Sequence, residues 1–253
     1  MMIENCEIQL SVSRTSPQDV EVVLWPRRPL NELQQRFPDM LLANVANVVN
    51  HGGFCGRAHR PVASSLQLQE SQPASGSLRR RFRIQGIDPG AWRVILGAFL
   101  AHSVRGFPLD RLEIRSLDEA SGSKLSADEA FATPYPEAPE QLPFPVERSE
   151  LGSSTKDRLI RITFQREPEE DVVEELIAAV LSWDELALGG YPAEGESPLE
   201  NATDAVEAYL IDPLTVEHPL PIFAGTDLAF EAVICMAWWF HERGHRVAQF
   251  NLW

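Results

Sequence analysis

Long apolar segments and paired cysteines are both absent from this chain of 253 residues. No run of roughly 18 consecutive apolar residues occurs, so the sequence predicts no membrane-spanning helix. The three cysteines, Cys6, Cys55 and Cys235, are odd in number and far apart, without a CxxC pair. They therefore indicate neither a disulfide framework nor a four-thiolate zinc site. The segment MMIENCEIQLSVSR lacks the basic and apolar regions of a secretory signal, so we expect a cytoplasmic location.

Cationic residues are also scarce. The chain has 22 Lys and Arg against 37 Asp and Glu, a net charge of −15. This balance works against non-specific binding to nucleic acid or to an anionic membrane, and it favours cationic partners. Common catalytic motifs are missing as well, since no GxSxG, GxxxxGK[ST] or GxGxxG is present. We therefore expect a non-enzymatic protein without a cofactor.

The acidic residues are concentrated in the second half of the chain. Residues 1–127 contain 12 Asp and Glu against 15 Lys and Arg, whereas residues 128–253 contain 25 against 7. From Glu167 to Glu242 there are 18 acidic residues and no Lys or Arg. This pattern fits either an adaptation for solubility or the electrostatic attraction of a basic partner. The best candidates for partner binding are Glu169, Glu170, Asp171, Glu174, Glu175, Asp184 and Glu185.

Three short matches recur in the same order in the two halves. They are Gly52-Gly53-Phe54 with Gly189-Gly190-Tyr191, Ile87-Asp88-Pro89 with Ile211-Asp212-Pro213, and Arg105-Gly106 with Arg243-Gly244, at offsets of 137, 124 and 138. The first and third offsets nearly agree. A loop insertion after the second Ile-Asp-Pro would explain the other, because loops absorb insertions at low cost. The matches predict an internal duplication.

Apolar periodicity predicts a similar order of elements in each half. In the first half we expect a strand over residues 8–12, a helix over 40–49 and a strand that ends before Asp88. A second helix should follow, with Asp88 as its N-cap and Pro89 as its first residue, and then a closing strand. The segment VEVVLW, residues 20–25, also has strand character and predicts an extra hairpin.

The second half repeats this order. Ile160, Ile162 and Phe164 alternate as in a half-buried strand. A helix with acidic residues in its first turn follows and ends near Gly189, and a last helix ends near Gly244 before a closing strand. The order is that of a split βαβ unit. We therefore expect an α+β protein of two tandem ferredoxin-like βαββαβ halves, with antiparallel sheets and helices on one face. The expected halves are residues 1–118 and 157–253, joined by a Pro-rich linker or wrapping arm over 119–156.

One literal catalytic motif is present, the HExxH sequence His241-Glu242-Arg243-Gly244-His245. In zinc hydrolases with this motif the two His bind the metal and the Glu acts as general base. No His, Asp, Glu or Cys follows His245 to serve as a third ligand, and Gly244 predicts that the helix ends before His245. His51, Cys55 and His59 also have metal-compatible spacing, but the glycines between them indicate a turn. We therefore expect no metal, and a zinc hydrolase remains the alternative.

An acidic, duplicated αβ protein without a catalytic constellation is typical of proteins that bind and neutralise another protein. Bacterial immunity proteins, which inhibit toxins, often have this character. We therefore expect a cytoplasmic protein that inhibits a basic toxin or effector, with a two-lobed module that binds a small ligand between its halves as a further alternative.

Overall fold

In the part of the chain that it describes, the computed structural model has an α+β architecture, with two mixed β-sheets and four helices whose bounds are defined. The model describes residues 6–54, 69–70, 80–104, 107–118, 123–126, 129–130, 138–148, 158–189, 208–220 and 227–253. The helices with bounds in these ranges are α1 (Glu32–Asn50), α2 (Pro89–Val104), α3 (Glu170–Gly189) and α4 (Asp227–Glu242). None of them is long and apolar enough to cross a membrane.

Within the described ranges, the first sheet contains six strands and the second contains five. The strands of the first sheet are β1 (Glu7–Val12), β2 (Gln18–Pro26), β3 (Gln69–Glu70), β4 (Arg80–Ile87), β5 (Leu109–Ser116) and β6 (Ser123–Leu125). Those of the second are β7 (Val146–Arg148), β8 (Arg158–Phe164), β9 (Tyr209–Asp212), β10 (Thr215–Leu220) and β11 (Val247–Leu252). β6 and β7 fall within the predicted linker region 119–156, and each adds to an edge of a different sheet.

The two sheets follow the same chain order. The first sheet is ordered β3-β4-β2-β5-β1-β6 and the second β7-β11-β8-β10-β9. The segments β5-β2-β4-β3 and β11-β8-β10-β9 therefore correspond strand for strand, and neighbouring strands are antiparallel in both. In each sheet one further strand pairs in parallel with the last strand of its half, β1 with β5 and β7 with β11.

Two expectations about the strands are wrong. The sheets are mixed, because β1 and β7 pair in parallel with their neighbours. Residues 20–25 do not form a hairpin with β1. They belong to β2, which lies between β4 and β5 and is buried along most of its length, whereas β1 lies on the far side of β5. A central strand is buried on both faces, which explains the nearly continuous apolar run in its sequence.

The two Ile-Asp-Pro matches are not equivalent positions. Ile87 ends β4, and Pro89 begins α2, as predicted for an Asp88 cap. The Asp88 carbonyl accepts hydrogen bonds from the Ala91 and Trp92 amides. In the second half, Ile211 and Asp212 end β9 and Pro213 lies in the turn to β10. The match therefore pairs the end of β4 with the end of β9, which are not corresponding strands. This explains its deviating offset without any loop insertion.

Helices from the two halves pack against each other in one continuous hydrophobic core. The contact of α1 with α3 includes polar bonds, since the Asn47 side-chain amide donates to the Ala178 carbonyl at 3.1 Å and to the Ser182 hydroxyl at 2.8 Å. After α1 the chain turns at Gly52, whose φ is 78°. The next residue, Gly53, is buried beside α4.

We expect Gly53→Ala to lower the free energy of unfolding by about 1–3 kcal/mol, because the added methyl group has no space. Its Cβ would overlap the Val48 Cγ1 atom and lie 3.2 Å from Met236 Cγ on α4. Urea denaturation measures the loss. The penalty should shrink in a Val48→Ala background, where the overlapping atom is removed. An equal penalty in both backgrounds would contradict this close approach.

Candidate partner-binding surface

The N-terminal end of α3 carries the largest group of predicted partner-binding residues. The Glu169 carbonyl accepts hydrogen bonds from the Val172 and Val173 amides at 3.1 and 3.2 Å, so the helix starts directly after it. An Asp171 carboxylate oxygen also accepts from the Val172 amide at 2.9 Å. Carboxylates are stabilising at this end of a helix because the helix dipole places partial positive charge there. The acidic residues therefore fit the local structure without a basic counterpart.

Four acidic side chains at this end are exposed. We call Glu169, Glu170, Asp171 and Glu174 the α3 acidic patch. Beneath them Val172, Val173 and Leu176 are buried, which fixes the orientation of the helix. Within the described part of the chain, no Lys or Arg forms an ion pair with the patch. Among the described residues, the patch is thus a surface of negative charge without ion pairs to Lys or Arg.

Glu175, also predicted for partner binding, is half-buried and forms its hydrogen bonds within the protein. Both of its carboxylate oxygens accept hydrogen bonds from the Arg243 guanidinium, and one also lies 3.0 Å from His51 Nε2. The other His51 ring nitrogen lies 2.7 Å from the Asn47 carbonyl, and the ring stacks on Phe240 at 5.8 Å. Both ring nitrogens of His51 thus lie within hydrogen-bond distance of a protein oxygen. Glu175 therefore joins α1 to the end of α4 and lies outside the patch.

The pKa of Glu175 is set by opposing effects. Partial burial acts to raise the pKa, but the hydrogen bonds and positive charge of Arg243, with a smaller effect of His51, outweigh it. The pKa is therefore lowered from its ordinary value of 4.5. The ionised carboxylate stabilises the fold at pH values above about 4.5, and this contribution is lost as the pH falls through the lowered pKa.

We expect Glu175→Gln to lower the free energy of unfolding by about 1 kcal/mol at pH 7, since a pair with both partners partly exposed is screened by solvent. The difference from the unmodified protein should shrink as the pH falls below about 4.5. Denaturant unfolding at several pH values measures it. Glu174→Gln, one residue away and exposed, is the control, with no measurable change expected. A pH-independent difference for Glu175→Gln would contradict the ion pair.

Asp184 and Glu185, near the end of α3, are placed differently from each other. Asp184 lies 3.1 Å from the Nε2 atom of buried His218 on β10 and is oriented toward the interior. The other nitrogen of His218 is buried and has no hydrogen bond. His218 thus donates from Nε2 to the carboxylate. Glu185 is exposed, but partial loss of solvent around its carboxyl group and the neighbouring Asp184 charge raise its pKa.

The HExxH motif does not form two ligands on one helical face. His241 is buried in the last turn of α4, where its Nδ1 donates to the Val247 carbonyl at 3.1 Å and its Nε2 accepts from Arg246 at 2.9 Å. Gly244 has a φ of 104°, so His245 lies beyond the helix end, as its glycine predicts. Both nitrogens of His241 are engaged by protein groups. Within the described ranges, no group of three or more His, Cys, Asp or Glu could hold a metal ion.

A cleft of about 670 Å³ adjoins the α3 acidic patch. It lies between the loop that precedes α3 and the turn that follows α4, and its charged lining residues are Arg166, Glu167, Glu169 and Arg246, with His245. Both charge signs are present, so the lining does not select an ion of one sign. All lining residues belong to the second half, whereas the small-ligand alternative requires a site between the halves.

The other proposed metal ligands are only partly described. Cys55 and His59 lie outside the described residues, and His51 is engaged by Glu175 and Asn47. No sequence signal identified the contact of Glu175 with Arg243, because the two residues are 68 positions apart. Comparison of the chain with protein-family models, with curated proteins and with solved structures finds no match in any of the three.

Proposed function

We propose that the protein is a non-enzymatic cytoplasmic protein that binds and neutralises a basic protein partner. Its most specific form is an immunity protein that inhibits a bacterial toxin or effector. The observation that carries the proposal is the α3 acidic patch, four exposed carboxylates at one helix end without a described ion-pair partner. Such a surface attracts a cationic partner, raises the association rate and complements Lys and Arg on the other surface.

The first half provides a contrast that supports this assignment. Among the described residues, five of its 12 acidic residues pair with arginines: Asp19 with Arg83, Glu21 with Arg115, Glu32 with Arg36, Asp110 with Arg27 and Glu113 with Arg111. In residues 128–253, which contain 25 acidic residues, the described pairs with arginines involve three, Glu175, Glu217 and Glu231. General solubility would not require the acidic residues of one half to be paired more often than those of the other. The difference favours a specific use of the second half.

We also propose that the halves are ferredoxin-like units related by duplication, with a divide between residues 1–118 and 157–253. The support is the equivalent order of β5-β2-β4-β3 and β11-β8-β10-β9, with two helices in each half and an outer parallel strand on each sheet. Duplication followed by divergence of charge would leave one half as a neutral scaffold and the other as the binding half. The charge counts of the two halves fit this division.

Titration calorimetry with the protein encoded by the neighbouring gene tests the proposal, because a toxin and its inhibitor are commonly encoded together. We expect stoichiometric binding in 25 mM salt and an affinity at least about tenfold weaker in 300 mM salt, since screening weakens exposed charge pairs. Absence of binding in 25 mM salt would contradict the proposed function. Binding that is independent of salt would contradict the role of the acidic patch.

A further inference from the structure

The edge strand β9 is longer and more apolar than the strands at the other three described sheet edges, although it also contains one charged residue, Asp212. Those edges are β3, β6 and β7, which are two or three residues long and contain Glu70, Lys124, or Glu147 and Arg148. Short strands and charged residues are common means of preventing unwanted strand addition. β9 has four residues, Tyr209-Leu210-Ile211-Asp212, and three consecutive large apolar or aromatic side chains. It pairs with β10 on one side, and no strand of the described residues pairs with its other side.

Exposed apolar side chains are concentrated at this edge. Tyr209, Leu210, Ile211 and Leu214 are 44%, 45%, 42% and 37% exposed, and only Met40 and Trp253 are comparable elsewhere in the described ranges. Single exposed apolar residues are ordinary, but a contiguous group commonly marks an interaction site. Successive side chains of a strand point to opposite faces, so apolar groups are exposed on both faces of β9. An added strand would cover them on both faces.

The charge around β9 determines which occupant fits. Asp212 in the strand is exposed. The charge of Glu217 on β10 is already balanced by Arg161 at 2.6 Å. A second copy of this chain would bring another half with 25 acidic and 7 basic residues to the same edge, and like charges would repel. A basic segment would be attracted instead.

We propose that the free edge of β9 is the docking site for an extended segment of a protein partner, in which basic and apolar side chains alternate. This inference rests on the proposed function, since the segment would belong to the same cationic partner. The segment would add to the second sheet as a strand, with main-chain hydrogen bonds giving affinity and the side chains giving specificity. Its apolar side chains would lie on the face of Leu210 and its basic side chains on the opposite face, near Asp212. These two residues face opposite ways because a register shift pairs them with consecutive residues of β10, Val216 and Thr215.

The probe for this site is a fluorescein-labelled ten-residue peptide of alternating Lys and Val, measured by fluorescence anisotropy in 25 mM salt. The same peptide with alternate residues N-methylated keeps its charge and loses main-chain donors. We expect the full-length protein to bind the parent peptide at least about tenfold more tightly than the N-methylated peptide. Equal binding of the two peptides, or binding of neither, would overturn the strand-addition proposal.

A neutral change to the strand provides the second test. Leu210→Thr/Ile211→Thr keeps the charge and a good strand propensity but removes apolar surface, so we expect binding of the parent peptide to weaken at least about tenfold. Met40→Thr, at the most exposed apolar residue of α1, is the matched control and should bind like the unmodified protein. Unchanged binding by the double variant would overturn the proposal, and the N-methylated peptide gives an answer that needs no variant.

The two proposals can fail separately. Suppose that Glu170→Lys/Glu174→Lys loses the neighbouring-gene partner while the β9 double variant keeps both that partner and the peptide. The edge site is then wrong and the proposed function stands. Suppose instead that the peptide binds β9 by the stated criteria while the α3 double variant keeps the partner. The role of the α3 acidic patch in partner binding is then wrong, and the edge site stands.

Discussion

Trp183→Ala is expected to lower the free energy of unfolding by about 3–5 kcal/mol, the range for large aromatic side chains in a core. Trp183 is fully buried on α3, and its ring lies 5.7 Å from that of Phe230 on α4. Its indole nitrogen donates a hydrogen bond to the Ala229 carbonyl at 2.7 Å. The substitution therefore creates a cavity between the two helices and removes the donor for a buried carbonyl. Urea denaturation measures the loss.

Trp253→Ala is the matched control for this prediction. Trp253 is 38% exposed and stacks with Arg161 at 4.7 Å. We expect Trp253→Ala to lower the free energy of unfolding by clearly less than Trp183→Ala, because removing a partly exposed side chain leaves no enclosed cavity. A cost below about 1 kcal/mol for Trp183→Ala would contradict the packing of α3 on α4. The consequence extends to function, since α3 carries the acidic patch.

Reversing charge in the α3 acidic patch is expected to have the largest effect on binding. Glu170 and Glu174 are four residues apart on α3 and both exposed, so Glu170→Lys/Glu174→Lys should leave the core intact. We expect affinity for the neighbouring-gene partner to weaken roughly 30- to 100-fold at physiological salt, because each change replaces an attraction by a repulsion. The association rate should account for much of the loss, which stopped-flow fluorescence can measure.

Glu140→Lys/Glu147→Lys changes the net charge by the same amount at two exposed residues outside α3. We expect it to weaken binding by less than about threefold, because charges outside the interface are screened beyond about 8 Å at physiological salt. Equal effects of the two double variants would show that only net charge matters. That result would contradict a localised binding surface on α3.

Helices were predictable from the sequence because their signals are local. Asp88 and Pro89 mark the start of α2, and Gly244 marks the end of α4, within a few residues of the boundary each determines. Strand pairing is a different problem, because β1 pairs with β5 about 100 residues away and nothing in its alternating pattern specifies a parallel neighbour. The same limit led to the incorrect hairpin prediction for β2.

The acidic composition of the candidate site was predictable from the sequence, but the exposure and contacts of each residue were not. In the sequence, Glu174 and Glu175 are equivalent, yet one is exposed and the other binds Arg243 and His51. Asp184 and Glu185 are likewise equivalent in the sequence. They differ in the structure because Asp184 contacts His218, which is 34 residues away from it. These distinctions depend on which face of α3 meets a distant element. The edge at β9 was missed because its apolar residues look like those of any half-buried strand.

Amide hydrogen exchange of the protein, with and without the neighbouring-gene partner, locates the interface. We expect slower exchange in the complex for the backbone amides of residues 167–176, which include the α3 acidic patch. Exchange in the central strands β2 and β5 should not change. Slower exchange confined to the first half, with residues 167–176 unaffected, would contradict the claim that the acidic end of α3 binds the partner.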